Sequence, residues 1–92
     1  MDIHHNFTGG VYAKRILMNT GDIFASHTHT YDHISIVARG KVSVFDGREH
    51  RVYTAGDAVT IEKNIPHSVE ALEPSTWFCI HAEANDQHKE GM

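Results

Sequence analysis

Apolar residues along this chain come in short runs, and most runs are closed by glycine, proline, aspartate or asparagine. VYAKRILM (11–18) is closed by the turn cluster Asn19-Thr20-Gly21-Asp22. IFASH (23–27) leads into a histidine-rich segment, and HISIVA (33–38) ends at Arg39-Gly40. KVSVF (41–45) puts Val42 and Val44 on one face and runs into Asp46-Gly47, which predicts a two-residue type I′ hairpin with REHRVY (48–53) as its return strand. AVTIE (58–62), HSVEAL (67–72) and TWFCIHAEA (76–84) follow. They are separated by turns at Ala55-Gly56-Asp57, at Lys63 to Pro66, and at Glu73-Pro74-Ser75. No window keeps a helical period beyond a turn or two. About eight strands at this even spacing predict an all-β sandwich or barrel that closes on itself to hide its edges.

A chain of 92 residues is room for one domain with one core. The core is expected over about residues 11–84, between loose ends at 1–10 and 85–92, with His4 and His5 in solvent. VYAKRILM, apolar in part on both parities, is the expected edge strand and the surface of a homodimer. The net charge of −4 comes with scattered Lys and Arg, so phosphate-driven nucleic-acid binding and a polybasic membrane patch are not expected. No apolar run approaches a membrane span, and MDIHHNFTGG does not read as a secretory leader. The single cysteine, Cys79, allows no internal disulfide. A cytoplasmic setting is therefore expected.

Histidine is over-represented, with nine in the chain. Three fall in HTHTYDH as His27, His29 and His33, all of one parity. Side chains two or four apart share a face of a strand, so all three can point to one side. Neutral imidazoles held by a sheet are good metal donors. The plain alternative is a polar strand whose histidines meet only water. Tyr31 has the ligand parity and falls either at a cavity mouth or in ordinary packing. Asp32 either holds an imidazole N–H or is solvated. On the last strand Trp77, Cys79 and His81 share one parity, while Phe78 and Ile80 share the other. Either the odd set lines a cavity, or Phe78 and Ile80 fill the core and Cys79 is a small buried hydrophobe.

The surroundings of these histidines resemble the two motifs of the cupin superfamily. Gly21, His27-x-His29, His33 and Gly40 stand at the spacing of the first motif, with His33 where the family usually has glutamate. Gly56-Asp57 opens the second, and Pro66-His67 closes it. Glu62 takes the usual proline's place and Asn64 the usual glycine's, where asparagine tolerates a left-handed backbone. The resemblance spans roughly residues 11–84. It implies a small double-stranded β-helix, or jelly-roll barrel, with His27, His29, His33 and His67 around one divalent transition metal. It also implies that the last strand contributes to the pocket wall, which would put Trp77, Cys79 and His81 near the cavity, with Tyr31 added to that lining by its ligand parity.

Four imidazoles suit Mn, Fe, Ni, Cu or Zn. A tetrahedral zinc would be closed and structural, whereas an octahedral ion would keep two adjacent positions for a chelating substrate, or for substrate and O₂. Two functions follow. One is a metal-dependent, oxygenase-like enzyme acting on a small organic, possibly anionic, substrate, with no catalytic residue assigned. The other is a non-catalytic module binding a small molecule or a structural metal, which suits a chain with short loops. A third reading, an interaction domain whose histidines bind nothing, requires the motif spacing to be coincidence.

Overall fold

The computed structural model describes residues 1–25 and 28–82. Its elements are nine strands: β1 (Asp2–Thr8), β2 (Val11–Met18), β3 (Ile23–Ala25), β4 (His33–Arg39), β5 (Lys41–Phe45), β6 (His50–Thr54), β7 (Ala58–Ile61), β8 (Ser68–Ala71) and β9 (Ser75–Ala82). They form two antiparallel sheets, ordered β1-β2-β9-β4-β7 and β3-β8-β5-β6. Side chains of both sheets meet between them in a core of Ile16, Met18, Val37, Val42, Val44, Val59, Ile61, Val69, Ala71, Trp77 and Cys79. This is a small all-β jelly roll. Among the described strands no ladder joins the two sheets, so they face each other as a sandwich rather than a closed barrel.

Two expectations need correction at the amino end. Residues 2–8 are not loose: they pair along their whole length with β2, from Asp2↔Leu17 to Thr8↔Val11. The turn between them is Gly9-Gly10, with φ of 59° and 80°, the double positive φ of a two-residue hairpin. Consequently VYAKRILM is no edge, because β2 lies between β1 and β9. His5 is not simply solvated either, since its Nδ1 lies 2.6 Å from the Tyr12 hydroxyl in a hydrogen bond.

The expected tight turn at Asp46-Gly47 is a four-residue loop. β5 ends at Phe45 and β6 begins at its partner His50, so Arg48 is not yet in the strand. Gly47 alone takes positive φ there, and the Asp46 carboxylate accepts the backbone N–H groups of Arg48 (2.9 Å) and Glu49 (3.0 Å). Asp46 therefore acts as an Asx-type cap rather than as the first residue of a type I′ turn.

The chain crosses from the first sheet to the second through one residue, Gly40, between β4 and β5. Its φ is 87°. A Cβ there would run into the Ser75 hydroxyl and the Pro74 carbonyl. The same Ser75 hydroxyl accepts the Lys41 N–H at 3.0 Å and donates to the Glu73 carbonyl at 2.7 Å, which fixes the crossing.

Candidate metal centre

Three adjoining rungs on the inner face of the larger sheet set the character of the space between the sheets. On the first, Ile16, Trp77 and Val37 are neighbours by strand register, and all belong to the apolar core. On the second, Lys14, Cys79, Ser35 and Val59 pair across four strands. On the third, Tyr12 pairs with His81, and His33 opens β4 beside them. Polarity rises from one rung to the next.

The third rung gathers rings. His33 and His81 lie 6.3 Å apart by ring centroid, and His29 meets His33 edge-on at 5.6 Å. Tyr31 stacks on His29 at 5.2 Å and stands 5.3 Å from His81. Tyr12 lies 4.8 Å from His81. His29, His33 and His81 are all buried.

The second motif is tied to the first through backbone. Asn64 has φ 60°, the left-handed conformation expected of it, and its N–H donates to the His29 carbonyl at 2.7 Å. Asp32 accepts the Lys63 N–H at 2.8 Å. It thus pins the turn before His67 and orients no imidazole among the described residues.

Hydrogen bonds fix two tautomers. His67 Nδ1–H donates to the Ile65 carbonyl at 2.7 Å, and His81 Nδ1–H donates to the Ala82 carbonyl at 2.9 Å. In each ring Nε2 is left with the lone pair, the state in which histidine binds metals. Nε2 of His81 and Nδ1 of His33 are buried and have no hydrogen-bond partner among the described residues. Burial, and then the charges of His29, His81, Lys14 and His67, pull His33 down from 6.5 to about 4, so it is neutral at pH 7. Burial also pushes the Tyr12 phenol up to about 12, so it stays protonated.

The donor chemistry fits a transition metal: His33 is buried and neutral, and its Nδ1 and the Nε2 of His81 are unpartnered among the described residues. Among the described residues, however, no three His, Cys, Asp or Glu side chains stand close enough to hold an ion by themselves. His27, the fourth expected ligand, lies outside the described residues. Beside His67 a cleft of about 130 Å³ opens between β5, β6 and β7, with Val44 and Val59 on its lining and Arg51 and Glu62 among its polar groups.

Of the side chains expected on the pocket wall, Tyr31 and His81 stand among the imidazoles, while Trp77 and Cys79 pack in the apolar core. The odd face of β9 does point inward: Trp77, Cys79 and His81 are buried, and Phe78 and Ile80 are only half-buried. Sequence reading missed Tyr12 and Lys14, which occupy the inner face of β2 with Ile16 and Met18. The signal was present, since one parity of VYAKRILM is apolar apart from a single lysine.

A family model for the cupin domain matches residues 14–81. The chain belongs to the cupin family. Solved cupin structures share its fold. An RmlC-like cupin with a double-stranded β-helix fold from Methanocaldococcus jannaschii superposes with a TM-score of 0.78 at 15% identity, covering 99% of this chain and 85% of that one. KdgF from Halomonas sp. gives 0.75 at 24% identity, covering 92% and 79%. The cupin domain of an XRE family transcriptional regulator from Enterobacter cloacae gives 0.73 at 15%, covering 86% and 92%. No curated protein matches the chain. At these identities the cupin structures establish the fold and leave the chemistry to the residues of this chain.

Proposed function

We propose that His27, His29, His33 and His67 hold one divalent transition metal (Mn, Fe, Ni, Cu or Zn), and that this cupin is a metal-dependent, oxygenase-like enzyme for a small organic acid, diketone or phenol. The observation that carries the reading is the gathering of imidazoles around His33, which burial keeps neutral, with His67 Nδ1–H committed to the Ile65 carbonyl. The metal would supply Lewis acidity toward an anionic oxygen of the substrate. The chain's own share is to keep His33 neutral by burial, to present Nε2 of His67, and to seal one end of the site with Tyr12 and Tyr31.

The test is metal content by mass spectrometry on untagged protein, beside a His27→Ala/His67→Ala double variant. About one metal per chain, lost in the variant, is the expected result. Native protein that takes up none of the five metals on reconstitution would overturn the reading.

A second reading is favoured by the short connections. Those lying wholly within the described residues are no longer than the one at 62–67, which suits a binding module whose metal is structural. Metal removal that unfolds the domain, with no small molecule able to reach the ion, would select it.

We further read the chain as a cytoplasmic homodimer, an assignment supported by its lone cysteine and by β1. Ile3, His5 and Phe7 lie on the core-facing side of the larger sheet, opposite Ile16, Lys14 and Tyr12, yet every residue of β1 is exposed. That apolar overhang would be covered by a second copy. A single monomeric species in sedimentation at tens of micromolar would refute the dimer.

A further inference from the structure

Lys14 has no part in the metal-centre reading, yet at 2% exposure it is the most deeply buried charged side chain among the described residues. An ammonium taken out of water costs several kcal/mol unless an anion meets it. None of the described residues does so: their ion pairs are the amino terminus with Asp22, and Arg51 with Glu49. The Lys14 amine instead lies 4.7 Å over the ring of Phe24 on the opposite sheet, a cation–π contact that offsets only part of the cost. Its cross-strand neighbour Cys79 cannot serve as the counter-ion, because burial pushes that thiol up and keeps it neutral.

The position of the amine gives the cost a use. Lys14 stands one rung below Tyr12 and His81, at the floor of the imidazole end, and its charge is felt at His33. Above it, His81 offers a buried Nε2 acceptor without a partner among the described residues. A buried cation without an anion among the described residues, one rung from a buried acceptor without a donor among them, is complementary to a ligand carrying an anionic oxygen and a hydroxyl.

We propose that Lys14 is an anion-receiving residue at the imidazole end of the space between the sheets, and that the ligand is a small hydroxy or enol carboxylic acid. Lys14 takes its carboxylate or enolate oxygen, and His81 Nε2 accepts a hydrogen bond from its hydroxyl. The proposal rests on the metal-centre reading for where the ligand sits, but the Lys14 contact is made with or without the ion.

The test is calorimetric titration of the full chain, metal-free and loaded with manganese, using lactate and its neutral isostere lactamide as probes. Wild type, Lys14→Met and Lys14→Arg are compared, and circular dichroism checks that each is folded. A charge-assisted contact predicts that wild type binds lactate about tenfold more tightly than lactamide in both forms. Lys14→Met should lose that preference in both forms. Lys14→Arg, which keeps the charge, should retain it. A preference untouched in Lys14→Met would assign the anion to the metal and overturn the proposal. So would wild type that binds the two probes equally, or binds neither. Metal content measured in parallel separates the two ideas. Protein that takes up no metal but keeps a Lys14-dependent preference sinks only the metal centre, while metal-loaded protein without the preference sinks only the role of Lys14.

Discussion

The two ends of the space between the sheets are built from the same strands and differ by a few residues along each. At one end Ile16, Trp77 and Val37 meet the valines of the second sheet in a dry core. Four residues back along β2, at Tyr12, four residues on along β9, at His81, and four back along β4, at His33, the same inner face carries a phenol and imidazoles. The first end follows the ordinary rule of burial. The second breaks it, and the form of the breach is instructive. Its buried polar groups are ones that can be neutral at pH 7: His33 is held at about 4 and Tyr12 at about 12. The fold thus carries lone pairs inside without carrying their charges. Only Lys14, on the rung between the two ends, departs from that economy.

If this division is right, truncation should hurt most at the dry end. Trp77 is 1% exposed at the centre of the core. Trp77→Ala is expected to lose about 3–5 kcal/mol of stability, from lost transfer energy and the cavity left behind. His81→Ala, at the other end of the same strand, is expected to lose clearly less, since it also removes an unpartnered polar atom. Urea denaturation of both variants checks the pair, and equal losses would break the comparison.

The imidazole end should instead announce itself through pH. In metal-free protein, the unfolded chain takes up a proton at His33 as pH falls through about 6.5, whereas the folded chain does so only near 4. Stability that is fully present above about pH 6.5 is therefore lost between there and about 4, by roughly 3 kcal/mol for this one group. Denaturation midpoints of wild type and His33→Leu over that range should diverge, with the variant lacking this part of the slope. Parallel curves would show that His33 is not held neutral by the fold.

The dry end was the more legible of the two from the sequence. KVSVF and VYAKRILM coincide with β5 and β2, because alternation of β-branched and polar residues is itself the record of a half-buried sheet. The motif glycines and Asn64 were legible for a similar reason: each marks a turn the backbone must make. β1 was not legible, because DIHHNFT is exposed throughout and its pattern of Ile3, His5 and Phe7 gains meaning only when β2 is laid beside it. Gly9-Gly10, within the end expected to be loose, is the hairpin that lays it there. Asp46-Gly47 misled for the opposite reason, since a favourable dipeptide gave way to an aspartate side chain that caps a longer loop. Within the candidate centre, His29 and His33 stand side by side although residues 28–32 form no strand, so strand parity is not what brings them together. That Trp77 and Cys79 belong to the core while His81 of the same face belongs to the imidazoles depends on how far along the strand the valines of the second sheet reach.

Lys14 offers the finest cut, because it lies on the boundary between the two ends. In the unliganded protein its amine is desolvated, drawn below its ordinary pKa by burial, and compensated among the described residues by little besides the Phe24 ring. A methionine has nearly the same length, fills the same space and asks for no partner. Lys14→Met is therefore expected to raise the stability of the metal-free, ligand-free chain, by about 1 kcal/mol, the lower end of what burying an unpaired polar group costs. The increase should appear as a higher denaturation midpoint at unchanged slope, since little surface is added or removed. A residue that weakens the fold and is kept at its centre has a use other than packing. A loss of stability in Lys14→Met would instead place Lys14 with the structural residues of the dry end, and the boundary would move one rung toward the histidines.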